Sequence, residues 1–153
     1  MSSLTWVESP NKYFEVLHDP NGPFQLCYVY YAAVNFRDVM LAYGRLAPDA
    51  IPGQFADREC LLGMEFSGRL KDGTRLMGIL PAQALATSVV CNTEYTWEVP
   101  ENWSLKDAAT VPVVYATAYY ALVMRGRIRR GDKVVFDKNL RTNKYLSIFH
   151  FLI

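Results

Sequence analysis

The sequence predicts a mainly β protein with short helices, folded as a partly open barrel and followed by the first helix and strand of an α/β unit. Three observations predict it. Short segments rich in β-formers recur at close spacing over residues 24–100. A single helix-patterned stretch, residues 35–43, stands among them. From Ser104 the pattern changes to a short capped helix, an apolar helix and a Val-rich run.

Each element has its own signal. Asp19-Pro20-Asn21-Gly22-Pro23 is a strong turn, and FQLCYVYYAAV (24–34) reads as a strand. Asn35-Phe36-Arg37-Asp38 opens a helix that Gly44 stops. Residues 45–60 hold Pro48, Pro52 and Gly53 and read as a long loop, a type that is often functional. LLGMEFSGRL (61–70), the Asp72-Gly73 turn and residues 75–80 make a hairpin. Gly63, Gly68 and Gly78 mark bulges or barrel corners within it. LATSVVC (85–91) is a further strand, and residues 95–100 lead on to the helices.

Ser104 is an expected N-cap, with Asp107 as the acidic half of a capping box. Pro112 suits the first turn of the next helix. Residues 113–124 are apolar nearly all round, with Thr117 the polar exception, so this helix is expected to be buried on most sides. Gly126 is its natural stop. Arg125, Arg127, Arg129 and Arg130 suit its negative end, with a phosphate contact as the sharper reading. Val134-Val135-Phe136 then reads as a short buried strand. Dinucleotide-binding domains are often entered this way, but a Gly-rich phosphate turn should follow. Asp137-Lys138-Asn139-Leu140-Arg141 follows instead, and no glycine occurs after Gly131.

Composition bounds the function. The chain has 153 residues, 51% hydrophobic and 20% charged, which is globular in type. A net charge of +1 gives no broad attraction to nucleic acid or to an anionic membrane. Cys27, Cys60 and Cys91 are odd in number and widely spaced, so buried reduced thiols in a cytoplasmic protein are expected rather than disulfides or a zinc site. His18 and His150 lack metal-ligand spacing. The opening residues lack the pattern of a signal peptide, and the longest apolar run is too short to span a bilayer.

Four stretches carry a family resemblance: VNFRDVMLAYGRLAPDAIPG, LLGMEFSGR, LMGILPAQALATSVV and VPENWSLKDAATVPVVYATAYYALVMRGRIRRGDKVV. Together, over residues 24–136, they resemble the enoyl reductase domain of animal-type fatty acid synthase. The enoyl reductase domains of modular polyketide synthases are close relatives. Both belong to the medium-chain dehydrogenase/reductase superfamily. The resemblance implies a GroES-like substrate-side domain over residues 1–110, the start of a truncated Rossmann NADPH-binding domain over 111–136, and an atypical tail over 137–153. It implies NADPH-dependent reduction of a trans-2-enoyl chain on acyl carrier protein, within a homodimeric synthase.

Carried over by position, Asn35 matches a residue lining the nicotinamide cleft, although an asparagine there is equally good as a helix N-cap. Thr117 matches a threonine facing the nicotinamide end, and its plain alternative is a hydroxyl bonded to a preceding helix carbonyl. Arg37 and Asp38 read as local structure. Tyr43, Tyr115, Tyr119 and Tyr120 read as core or interface aromatics. Zinc-dependent relatives carry a cysteine before the first helix and Gly-His-Glu on a strand. Asn35 and Gly63-Met64-Glu65 stand at those positions, so the chain resembles the zinc-free branch and no metal ligand is expected. The family's proposed proton donors fall in the segment that the tail replaces. The resemblance therefore implies an N-terminal piece of a larger reductase, inactive alone, with the catalytic acid unassigned. Two alternatives stand beside it: a non-catalytic GroES-like interaction fragment, and a free-standing quinone or enone reductase of the same superfamily.

Overall fold

The computed structural model describes residues 5–6, 22–50 and 61–134. The chain divides into two compact units, Met1–Pro112 and Val113–Ile153.

The first unit is built on one five-stranded antiparallel sheet. Its strands are β1 (Phe24–Ala32), β2 (Glu65–Arg69), β3 (Arg75–Ile79), β4 (Ser88–Asn92) and β5 (Thr96–Glu98). Their spatial order is β4-β1-β2-β3-β5. The two edge strands, β4 and β5, are consecutive in sequence and joined by one 3-10 turn, Thr93–Tyr95. That short link draws the two edges together at one end, so the sheet curls into an open half-barrel. The expected partly open barrel is therefore what forms. The strand β5 is an addition, because residues 95–100 carry no clear alternation.

The hairpin is in the expected place, with Arg69 opposite Arg75 and Glu65 opposite Ile79. Asp72 Oδ1 accepts the Thr74 N–H at 2.9 Å and closes the turn. That bond holds the Asp72 carboxyl below its usual range. The β2 strand is shorter than the sequence suggests, because Gly63 lies at φ +89 and breaks the extended run before Glu65. β1 carries a bulge between Val29 and Tyr31 where it pairs with β2.

Period-two alternation sets the core. Cys27, Phe66, Leu76, Val89 and Cys91 point to one face and pack with Ala84. The other face meets α2, and the helices are α1 (Phe36–Ala42), α2 (Leu105–Ala108) and α3 (Pro112–Tyr119). Ser67, fully buried, donates its hydroxyl to the Leu105 carbonyl of α2. The Arg75 guanidinium donates to the carbonyls of Pro100, Glu101 and Trp103 and ties down the loop that leads to α2. Ser104 caps α2 as expected: its Oγ accepts the Asp107 N–H at 3.1 Å and donates to the Asp107 carboxylate at 2.6 Å.

In the second unit, α3 passes into a π-helical segment, Tyr120–Arg125. The burial expected on most sides is not found. Tyr119, Tyr120 and Met124 are each more than half exposed, and Ala118 is the buried residue of the run. Gly126 is the C-cap as expected, but at φ −75, so it contributes no left-handed turn. Arg127, at φ +49, makes that turn instead. Residues 132–134 are not a strand, and Val135 and Phe136 lie outside the described residues. Among the described residues no helix is long and apolar enough to cross a membrane.

Candidate functional site

The site is assembled where β1 ends and α1 begins. Asn35 has extended backbone angles and stands as the N-cap of α1. Asp38, buried in the first turn, accepts the Asn35 N–H through Oδ2 at 2.8 Å, the returning half of a capping box. Its other oxygen, Oδ1, accepts the N–H of Gly63 at 2.9 Å. One carboxylate thus joins the start of α1 to the turn that precedes β2.

Glu65, the first residue of β2, is 1% exposed. Its Oε1 accepts an N–H from the Asn35 side chain at 3.1 Å. The amide is therefore held by a buried carboxyl oxygen, which fixes its plane. The helix N-cap reading of Asn35 is what the structure shows, and its side-chain N–H also reaches Glu65. Arg37 and Asp38 separate. Asp38 is local structure, as expected, whereas the buried Nε and Nη2 of Arg37 make no hydrogen bond among the described residues.

Beside this constellation lies an apolar cleft of about 220 Å³. Ala33, Val34, Val39, Tyr43, Leu62 and Leu85 form its walls, with Asp38 and Gly63 at one side. Val34 and Tyr43 are largely exposed at its rim. Tyr43 is thus a cleft residue rather than a core aromatic. Such a lining accepts an apolar group and excludes a charged one.

Thr117 belongs to the second unit. Its hydroxyl donates to the Val113 carbonyl at 2.7 Å, the plain alternative that the sequence offered. The side chain is exposed and its oxygen still has acceptor capacity. Tyr119, on the same helix, and Tyr120, the first residue of the π-helical segment, are exposed, and Tyr115 is half-buried. Cys27 and Cys91 are buried free thiols as expected, while Cys60 lies outside the described residues. Among the described residues no cluster of three His, Cys, Asp or Glu side chains is placed to hold a metal ion.

Sequence reasoning reached Asn35 but not the partners that orient it. Glu65 entered only as a position compared with a zinc motif, and Gly63 as that and as a bulge or barrel-corner glycine. The available signal was a carboxylate inside an apolar strand, since a buried Glu requires a partner.

No family model matches the chain. Quinone oxidoreductase-like protein 2 of Mus musculus is 33% identical over 145 residues, covering 86% of this chain and 39% of that protein. The reducing polyketide synthase rads1 of Floropilus chiversii is 40% identical over 108 residues, covering 68% of this chain and 4% of the synthase. Among solved structures, the JamJ enoyl reductase in its apo form superposes with a TM-score of 0.66 at 25% identity, over 84% of this chain and 40% of that one. The proteins matched include quinone oxidoreductase-like proteins and reducing polyketide synthases, and the solved structures include enoyl reductases. The half-barrel is a partial GroES-like fold. The chain spans about two fifths of the mouse relative's length.

Asn35 presents an oriented amide in the first unit. Thr117, in the second unit, presents an exposed hydroxyl oxygen. A pyrophosphate cradle is not found among the described residues, and the segment where the fold would place it begins after Val134.

Proposed function

We propose that this chain is the substrate-side part of an NADPH-dependent enoyl reductase of the synthase type, acting on a trans-2-enoyl chain carried as a thioester on an acyl carrier protein. A fatty acid or polyketide synthase is the setting this reading implies, with Asn35 and Thr117 toward the cofactor. The observation that carries it is the Asn35–Glu65 pair, joined through Asp38 to the wall of an apolar cleft. An enoyl thioester offers a flat, apolar chain next to an activated C=C, and that is the ligand such a cleft fits. The cofactor supplies the hydride when bound. This chain's residues orient: Glu65 fixes the Asn35 amide, Asp38 fixes the backbone that carries it, and the cleft keeps water from the acyl chain.

The second reading, a quinone or enone reductase, is favoured by the 86% coverage in the alignment with the mouse quinone oxidoreductase-like protein. One experiment separates the two. Saturation-transfer NMR on the 153-residue chain should detect crotonyl-pantetheine, and Val39→Glu in the cleft wall should abolish the signal. Binding of a benzoquinone with no thioester signal overturns the synthase reading. The chain by itself is expected to leave NADPH unoxidised in the presence of that thioester, because Asp137–Arg141 offers no glycine turn for the pyrophosphate.

A further inference from the structure

Arg37 is the charged group that the site described above leaves over. It lies in the first turn of α1 and is partly buried. Its Nε and Nη2 are buried and make no hydrogen bond. These two nitrogens share one edge of the planar guanidinium and direct their N–H bonds in parallel. That edge is the one with which arginine grips two oxygens at once.

The adjacent carboxylate does not fill it. Asp38 commits Oδ1 to Gly63 and Oδ2 to Asn35. Burial pulls the Arg37 pKa down and the charge of Asp38 opposes that pull. The group nonetheless stays cationic at neutral pH. A partly buried cation with two buried donors that find no acceptor among the described residues is costly, and such an edge suits an ion or ligand that supplies two oxygens. Helix geometry also separates Arg37 from the apolar cleft. Asp38, Val39, Ala42 and Tyr43 line that cleft. At about 100° per residue Arg37 projects from the opposite side of α1.

We propose that Arg37 anchors an oxyanion site on α1, which takes the carboxylate or phosphate group of a small ligand through Nε and Nη2. Both ligand classes present two oxygens at the spacing of the fork. The edge is closed to solvent in this state, so the ligand enters as the side chain swings outward. The site stands or falls independently of the reductase reading.

The test uses the full chain with sodium formate, with inorganic phosphate, and with sodium chloride at matched ionic strength. The readouts are the Arg37 Nε–H resonance, identified by its loss in Arg37→Lys, and the thermal midpoint. Formate, phosphate or both should shift the Nε–H resonance saturably and raise the midpoint, with chloride doing neither. The anion that acts assigns the site to carboxylates, to phosphates or to both. Arg37→Lys keeps the charge but loses the side-on fork, so the anion-dependent rise in midpoint should need about tenfold more anion. Arg37→Met should lose that rise while remaining folded, since it removes an unpaired buried charge. The proposal is overturned by the absence of a saturable shift, by an equal response to chloride, or by an Arg37→Lys variant that responds as the parent does.

Discussion

At the scale of the residue, the molecule depends on a few buried polar and sulfur groups whose surroundings decide their behaviour. Cys27 and Cys91 lie on neighbouring strands with their sulfurs in the apolar core. Burial pushes the Cys27 thiol from 9.0 up to about 12, with the nearby Cys91 adding to it. Burial likewise pushes Cys91 up to about 11. A thiol whose folded pKa is raised prefers to stay protonated in the fold. Its contribution is fully present below the unfolded value and is lost as pH rises toward the folded one. Unfolding free energy, measured by urea titration, should therefore fall between pH 9.0 and about 11. The Cys27→Ala/Cys91→Ala variant should show a flatter decline over the same window. The same burial keeps thiolate out of reach at neutral pH, so neither sulfur is a nucleophile in the folded state.

The elements divide by whether their signals are local. The hairpin was legible because its determinants are adjacent: two strand-forming stretches, residues 61–70 and 75–80, with a D-G turn between them. The caps were legible for the same reason, since Ser104–Asp107 and Asn35–Asp38 each lie within one helical turn. Asn35–Glu65 spans thirty positions and depends on how α1 docks against β2, so no local pattern reveals it. Strand β5 is three residues long and is defined by pairing with β3, which is again a tertiary fact. The bulge in β1 lies opposite Gly68, one of the glycines that mark bulges or corners in the sequence. It brings the Tyr28 backbone against Gly68, where an added Cβ would lie 2.0 Å from the Tyr28 carbonyl oxygen. Backbone cannot yield as a flexible side chain does. Gly68→Ala should therefore cost about 1–3 kcal/mol. Thermal unfolding would read that cost, and amide exchange would show weakened protection at Tyr28 and Val29. An unchanged midpoint would mean that β1 and β2 can separate there at no expense.

At the scale of the whole molecule, the two units differ in how they treat apolar surface. The first curls its sheet around a shared core of Cys27, Phe66, Leu76, Val89 and Cys91. The second carries an apolar helical run with Tyr119, Tyr120 and Met124 at 53%, 58% and 58% exposure. Sequence predicted the apolar composition of that run, and an apolar patch left exposed is what the run presents, in place of burial on most sides. Apolarity on all sides records what a helix can bury, whereas burial needs other elements to supply the cover. Large aromatics left in water favour association, because each buried apolar Å² contributes roughly 25 cal/mol. The chain is accordingly expected to self-associate as its concentration rises. Sedimentation velocity should show a weight-average mass above 17.4 kDa that grows with loading. Tyr120→Glu with Met124→Lys places opposite charges on this run without touching the half-barrel, and it should return the mass toward that of one chain. If the double variant associates as strongly as the parent, the adhesive surface lies elsewhere. The exposed aromatics of β1, Tyr28, Tyr30 and Tyr31, would then be the next surface to charge.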